Sequence, residues 1–269
     1  FNKKYDETLS AISKAPNTFV MNRLKMYSLN ELGKSAEALL AGNSLFKIKT
    51  DNDSIIGQDY TTYAKVLNDN KQYADAALNL LNAYKLDSTK TNLLKDAAKA
   101  FDNTKDYSKS LPIYDKIAAK SGSNSDIFTL GRTYYFAGND TTVRNVSQRN
   151  KYLLQADSTF NVFAQKNLDS YMGYFWRART NVALDPEVKL DNAKNYYEKS
   201  LELMIPQVDQ RKNEILEAYR YLTAYSFVKN DMVLVKAYLN KILEIDPQNA
   251  YALQNLSALE TKGKPKGKK

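Results

Sequence analysis

The sequence predicts an all-α protein built as a solenoid of stacked antiparallel helix pairs. Two observations carry this prediction. The stretch from Tyr60 to Ser88 and the stretch from Leu94 to Gly122 present the same residue classes at a fixed offset of 34 residues. Within each stretch the apolar residues fall three or four apart, the spacing of one helix face. A third observation narrows function: the 269 residues include no histidine and no cysteine. That removes His/Cys metal sites, thiol nucleophiles, Ser-His-Asp triads and haem ligation through imidazole or thiolate. A hydrophobic content of 43% is enough for a sizeable core without disulfides.

The elements follow in chain order. Tyr5, Thr8 and Ile12 read as the second helix of a repeat whose first helix lies upstream, so residues 1–17 form a partial leading repeat and the array is expected to extend N-terminally. Met26, Leu29 and Gly33, then Ala38, Gly42 and Leu45, make a weak first full copy. Tyr60, Tyr63, Ala64 and Leu67 share one face, as do Tyr73, Ala76, Leu80 and Ala83 after a short polar break. The next copy reads Leu94, Ala97, Ala98 and Phe101, then Tyr107, Ser110, Tyr114 and Ile117. Small residues stand where paired helices must approach, and large ones fill the gaps.

A fourth copy opens near Ile127 with Leu130-Gly131 and Tyr134, and continues with Ala156, Phe160 and Phe163. Between Gly138 and Tyr152 it is longer than its neighbours by roughly a dozen residues. The side chains of Asn139, Asp140, Thr141 and Thr142 compete for backbone hydrogen bonds, which predicts a protruding loop. Tyr174, Arg177 and Ala178, then Ala193, Tyr197 and Ser200, form the fifth copy, its turn lengthened at Asp185-Pro186. After a longer connection at 206–212, the sixth shows Tyr219, Leu222 and Thr223, then Val235, Leu239 and Ile242, and closes at Asp246-Pro247. Residues 18–248 thus read as about six repeats in one continuous solenoid and 249–261 as a capping helix with a polar outer face. Residues 262–269 read as a basic disordered tail.

The net charge of +9 is unevenly placed, because Lys262, Lys264, Lys266, Lys268 and Lys269 supply five of the nine. This favours a solvated terminus over a phosphate-binding arm and argues against a nucleic-acid partner. No stretch approaches 18 consecutive apolar residues, so no membrane span is expected. The nine glycines are scattered, and no phosphate loop, EF-hand or dinucleotide fingerprint is present. No cofactor and no metal site is implied.

The large-x-x-large-small-x-x-aromatic spacing of each first helix, followed by small-x-x-x-aromatic-x-x-small in the second, resembles the tetratricopeptide repeat (TPR) family. Leu130-Gly131 and Tyr134 match its Leu-Gly-x-x-Tyr segment, and Pro247 stands where the family ends a second helix. The resemblance covers nearly the whole body and implies a right-handed superhelix whose first helices line a concave groove. It also implies that the groove holds an extended peptide or a partner helix. TPR domains that grip a C-terminal carboxylate use basic residues four apart on a first helix, a spacing that Lys95 and Lys99 match, although the asparagines of that arrangement are absent. The Tyr-, Asn- and Lys-rich composition, with Tyr174 to Arg179 and Leu184-Asp185-Pro186, is similar to envelope-associated TPR proteins of Bacteroides-type bacteria. That similarity implies a periplasmic or envelope location rather than a cytoplasmic one.

One outward position read through successive first helices gives Tyr27, Lys65, Lys99, Arg132, Arg179 and Ala224, four consecutive cations in a line. Aromatic residues concentrate in the last three first helices. Trp176 and Tyr221 are expected to pack between repeats, while Phe128, Tyr135, Phe175 and Phe227 fall where the pattern predicts exposure. The candidate binding residues are therefore Lys65, Lys95, Lys99, Arg132, Arg179, Phe128, Tyr135, Phe175 and Phe227. Such a groove suits a protein or peptide segment that is acidic in one part and apolar in another.

A non-catalytic interaction module follows as the leading function, with a structural scaffold of a larger cell-envelope assembly as the alternative. A distant third is a glycan-acting helical-repeat enzyme using paired carboxylates, with Asp96 and Asp102, or Glu214 and Glu217, as candidate pairs. Acids three to six apart on a helix are usually solvating charges, and no catalysis is expected.

Overall fold

The computed structural model describes residues 4–14, 17–48 and 54–263, the side chains of the last three excepted. The chain divides into two compact units, Phe1–Gly122 and Ser123–Lys269. Of the predicted tail 262–269, Lys262 and Gly263 belong instead to the last helix, and the residues from Lys264 onward lie outside the described residues. Among the described residues there is no strand, and no helix is long and apolar enough to cross a membrane.

Unit 1 contains α1 (Tyr5–Ile12), α2 (Phe19–Glu31), α3 (Ser35–Lys47), α4 (Gly57–Asp69), α5 (Tyr73–Leu86), α6 (Asn92–Asn103) and α7 (Tyr107–Ser121). Each helix packs on the next, in the pairs α2/α3, α4/α5 and α6/α7. The small residues permit the close approach: a side chain at Gly42 of α3 would collide with the Tyr63 ring of α4. Ala64 is buried in one core cluster with Met26, Leu45 and Leu67, and Ala98 and Phe101 are buried on α6. Burying these methylenes is the main stabilising contribution, about 25 cal/mol per Å² of apolar surface.

The turns inside the pairs share one device. Gly33, Lys71 and Lys105 all take left-handed backbone conformations, φ 71°, 61° and 57°. In each case the following N–H reaches back five residues along the chain: Lys34 to the Leu29 carbonyl (2.9 Å), Gln72 to Leu67 (2.8 Å) and Asp106 to Phe101 (3.1 Å). This is the hydrogen-bonded helix stop that glycine favours, because a Cβ crowds the carbonyl in the left-handed region. Only Gly33 is visible in the sequence as such a stop. Lys105→Gly is accordingly expected to stabilise the chain by about 0.5–1 kcal/mol, a gain partly offset by the looser unfolded chain. A rise in the urea midpoint at unchanged slope would show it.

Unit 2 contains α8 (Asn124–Asn139), α9 (Val146–Lys166), α10 (Tyr171–Leu184), α11 (Asn192–Met204), α12 (Val208–Val228), α13 (Met232–Ile245) and α14 (Ala250–Gly263). Again consecutive helices pair, α8/α9, α10/α11 and α12/α13, and α14 packs on α13. The left-handed stop recurs at Asn230 (φ 61°), with Asp231 N–H to the Ser226 carbonyl at 2.9 Å. Ser123, Asn145, Ser170 and Asp231 cap their helices by accepting backbone N–H groups.

Two expectations about connections are corrected. The extra residues after Gly138 do not form a long protruding loop: only 140–145 are non-helical, and the rest extends α9 to 21 residues. Asp140 closes a tight turn by accepting the Thr142 N–H (2.8 Å) and hydroxyl (2.7 Å), and Asn145 then starts the helix through Gln148 N–H (3.0 Å). The competing side chains thus concentrate the break into six residues instead of spreading it. The connection at 206–212 is likewise helical, a 3-10 turn at Ile205–Gln207 running into α12, which kinks at Arg211 (φ −123°, ψ 20°).

Candidate functional site

In unit 1 the first helices α4 and α6 flank a depression of about 480 Å³ onto which Lys65 and Lys99 both open, together with Thr61, Asn68, Asp96 and Asn103. Lys65 donates to the Asn30 side-chain oxygen of α2 at 2.7 Å and lies 3.9 Å from the Asp69 carboxylate. Lys99 is exposed, and among the described residues its ammonium has neither a hydrogen bond nor an ion-pair partner. Lys95, one turn earlier, is half-buried and engaged in an interaction of its own, so the two lysines do not act as an equal pair. Tyr27, at the same register on α2, donates its hydroxyl to the buried Asp59 at 2.7 Å.

In unit 2 the two arginines of the column behave differently. Arg179 is half-buried and forms a two-pronged pair with Glu217 of α12, Nε to Oε1 at 2.7 Å and Nη2 to Oε2 at 2.5 Å. The Glu217 hydrogen bonds hold its guanidinium above its ordinary range. Tyr197 completes the cluster by donating to Glu217 at 3.0 Å. The Arg179 charge is therefore spent inside the fold. Arg132 on α8 is exposed, and its guanidinium lies over the rings of Phe136 (5.5 Å) and Trp176 (5.4 Å). Among the described residues it meets no carboxylate within ion-pair distance and donates no hydrogen bond.

The expected exposed aromatics are also sorted by the fold. Phe227 is 53% exposed and borders an apolar depression with Val228, Tyr251 and Leu259. Phe128 and Tyr135 are half-buried, and burial pushes the Tyr135 phenol up. The expectation for Phe175 is overturned: it is 2% exposed, with its ring 5.8 Å from Tyr197. It lies one turn before the buried Ala178, so both share the face that α10 turns into the core. Its neighbour Trp176 packs partly against that core and is half-buried.

Trp176 is the centre of the aromatic cluster. It stacks on Phe160 (5.5 Å, 30°) and receives Phe128, Tyr135 and Phe136 edge-on at 5.9, 5.3 and 6.1 Å. Sequence reasoning did not single out Phe136 as a binding residue, although it is 47% exposed. The signal was there, since Phe136 stands four residues after Arg132 and therefore on the same helix face. Three of the four candidate acids are engaged by neighbours: Asp102 accepts from Tyr114 (2.9 Å), Glu214 from Tyr171 (3.3 Å) and Glu217 from Arg179, while Asp96 is exposed. Burial pushes the Asp102 carboxyl up.

A stack of antiparallel helix pairs with polar side chains on its first helices is the architecture of a helical-repeat protein-interaction scaffold. The comparisons place it within that class as a TPR fold. The chain is similar to the C-terminal part of a TPR repeat-containing protein from Cytophaga hutchinsonii, at 26% identity and a TM-score of 0.65 over 95% of each chain. It is also similar to a structure of Naa15/Naa10 bound to HypK-THB, at 16% identity and a TM-score of 0.54, over 93% of this chain and 41% of that one. The second likeness concerns the fold alone. No protein-family model matches the sequence, and no curated protein matches it.

Proposed function

We propose that the chain is a non-catalytic interaction module that binds a segment of a partner protein along its first helices. The observation that carries this is the meeting of Lys65 and Lys99 at one depression, with the Lys99 ammonium unspent. An unpaired exposed cation contributes little to folding, so its placement beside a second cation is available for an acidic partner. The repeat boundaries read from the sequence, as one stack over 18–248, belong to the same proposal. So does a partner that is acidic in one part and apolar in another, with Phe128, Tyr135 and Phe227 contributing apolar contact.

The test is selection of binders from a displayed random-peptide library, followed by affinity measurement on the Lys65→Glu/Lys99→Glu double variant. Acidic peptides should be enriched, and the double reversal should weaken them by roughly tenfold or more at an unchanged melting temperature. Added salt should slow association more than it speeds dissociation. An unenriched library, or binders indifferent to the double reversal, would overturn the proposal.

One observation favours the scaffold reading as a second possibility: large apolar side chains stand exposed on second helices, Leu40 on α3 (69%), Leu154 on α9 and Val233 on α13 (80%). A scaffold would use these against other chains. Charged replacements at these three positions would then abolish partner capture while the lysine reversals leave it intact.

A further inference from the structure

We infer that Arg132, Phe136 and Trp176 form an anchor site on unit 2 for a protein segment that presents an apolar side chain next to a carboxylate. This rests on the segment-binding reading above and assigns it a location and a ligand chemistry.

Three features of the cluster lead there. The indole of Trp176 is flanked by two guanidinium groups, Arg132 at 5.4 Å and Arg179 at 5.0 Å, of which Glu217 neutralises only the second. Arg132 thus keeps a planar fork of donors with no acceptor among the described residues, and a carboxylate is the group that satisfies such a fork through two parallel bonds. A segment carrying lysine or arginine at that point would be repelled. Secondly, Phe136 remains 47% exposed beside the half-buried indole, which offers apolar surface immediately next to the cation. Thirdly, the platform is already rigid. Phe160, Phe128 and Tyr135 hold the indole from the other sides, so little side-chain freedom is lost when a ligand settles. Trp, Tyr and Arg in a fixed cluster are the residue types that dominate interface energies.

Trp176 is the single tryptophan of the chain, so its emission reports directly on this site. The probe is an N-acetylated, C-amidated peptide Ser-Phe-Glu-Glu-Ser, with Ser-Phe-Lys-Lys-Ser and Ser-Ala-Glu-Glu-Ser as controls. A saturable change in Trp176 emission is expected for the first, with roughly tenfold weaker binding of either control. Arg132→Glu and Phe136→Ala should each weaken the first peptide by roughly tenfold at an unchanged melting temperature, and Arg132→Lys by less. The inference is overturned if the lysine peptide binds as well as the glutamate peptide, or if both variants titrate like the parent. Library-selected peptides that need Lys65 and Lys99 but not Arg132 or Phe136 would overturn this site while leaving the segment-binding reading in place. An array that selects no peptide at all would remove both.

Discussion

Asp59→Ala is expected to lower the unfolding free energy by about 3–5 kcal/mol. Asp59 stands in the first turn of α4, and its side chain is fully buried. Four hydrogen bonds converge on its carboxylate: Arg23 Nε at 2.8 Å and Nη2 at 2.7 Å, the Tyr27 hydroxyl at 2.7 Å, and the Ile56 backbone N–H at 2.9 Å. The group therefore ties α2 to α4, caps α4, and neutralises a guanidinium that also lies 4.6 Å over the Phe19 ring. Alanine would leave the Tyr27 hydroxyl and Arg23 Nε without their acceptor, Arg23 keeping only the Ser54 carbonyl at 2.7 Å, and that orphaning accounts for most of the loss. Asp59→Asn retains part of the hydrogen bonding and should cost less. Spectrophotometric titration supplies a second readout. Burial and then the Asp59 hydrogen bond hold the Tyr27 phenol well above its ordinary range, so in the alanine variant it should titrate at lower pH. A loss below about 1 kcal/mol would mean that the contact is not what joins these two repeats.

Phe160→Ala should be of similar size, about 3–5 kcal/mol. The ring is fully buried, stacks on Trp176, and fills the space that Gly131 leaves open, where a built Cβ would stand 2.7 Å from it. Neither neighbour can collapse into the void, because Gly131 has no side chain and Trp176 is held by other rings. The cost should therefore include most of the cavity term. Loss of the stacking partner should also move Trp176 emission toward longer wavelength. The converse change, Gly131→Ala, should overpack the same contact. A urea midpoint unchanged by Phe160→Ala would show that α8 and α9 are not held together at this ring.

These two sites differ in how far the sequence disclosed them. Phe160 and Gly131 were legible: the spacing of Leu130, Gly131 and Tyr134 against Ala156, Phe160 and Phe163 places small opposite large, because only such pairs let two helices approach. Asp59 was not, since it lies outside the apolar pattern and its partners stand 36 and 32 residues away. A buried carboxylate looks in sequence like a solvated one.

The sequence by itself determined the helix pairs and the small and large residues of their contacts, because both depend on periodicity along one chain segment. It also determined which chemistries were unavailable, since a missing histidine or cysteine cannot be replaced by folding. Only the tertiary structure decided which members of a register remain unspent. Arg132 and Arg179 both lie over the Trp176 indole, yet Glu217 from the next pair neutralises one and, among the described residues, no carboxylate reaches the other. Phe175 and Phe136 both sit in aromatic-rich first helices, yet Phe175 is buried on the face of Ala178 and Phe136 is exposed on the face of Arg132. Left-handed stops at Lys71, Lys105 and Asn230 escaped notice because tertiary packing can impose a backbone conformation that the residue itself disfavours. Helical spacing specifies direction to within a fraction of a turn; charge neutralisation and exposure are set by neighbours that the spacing does not contain.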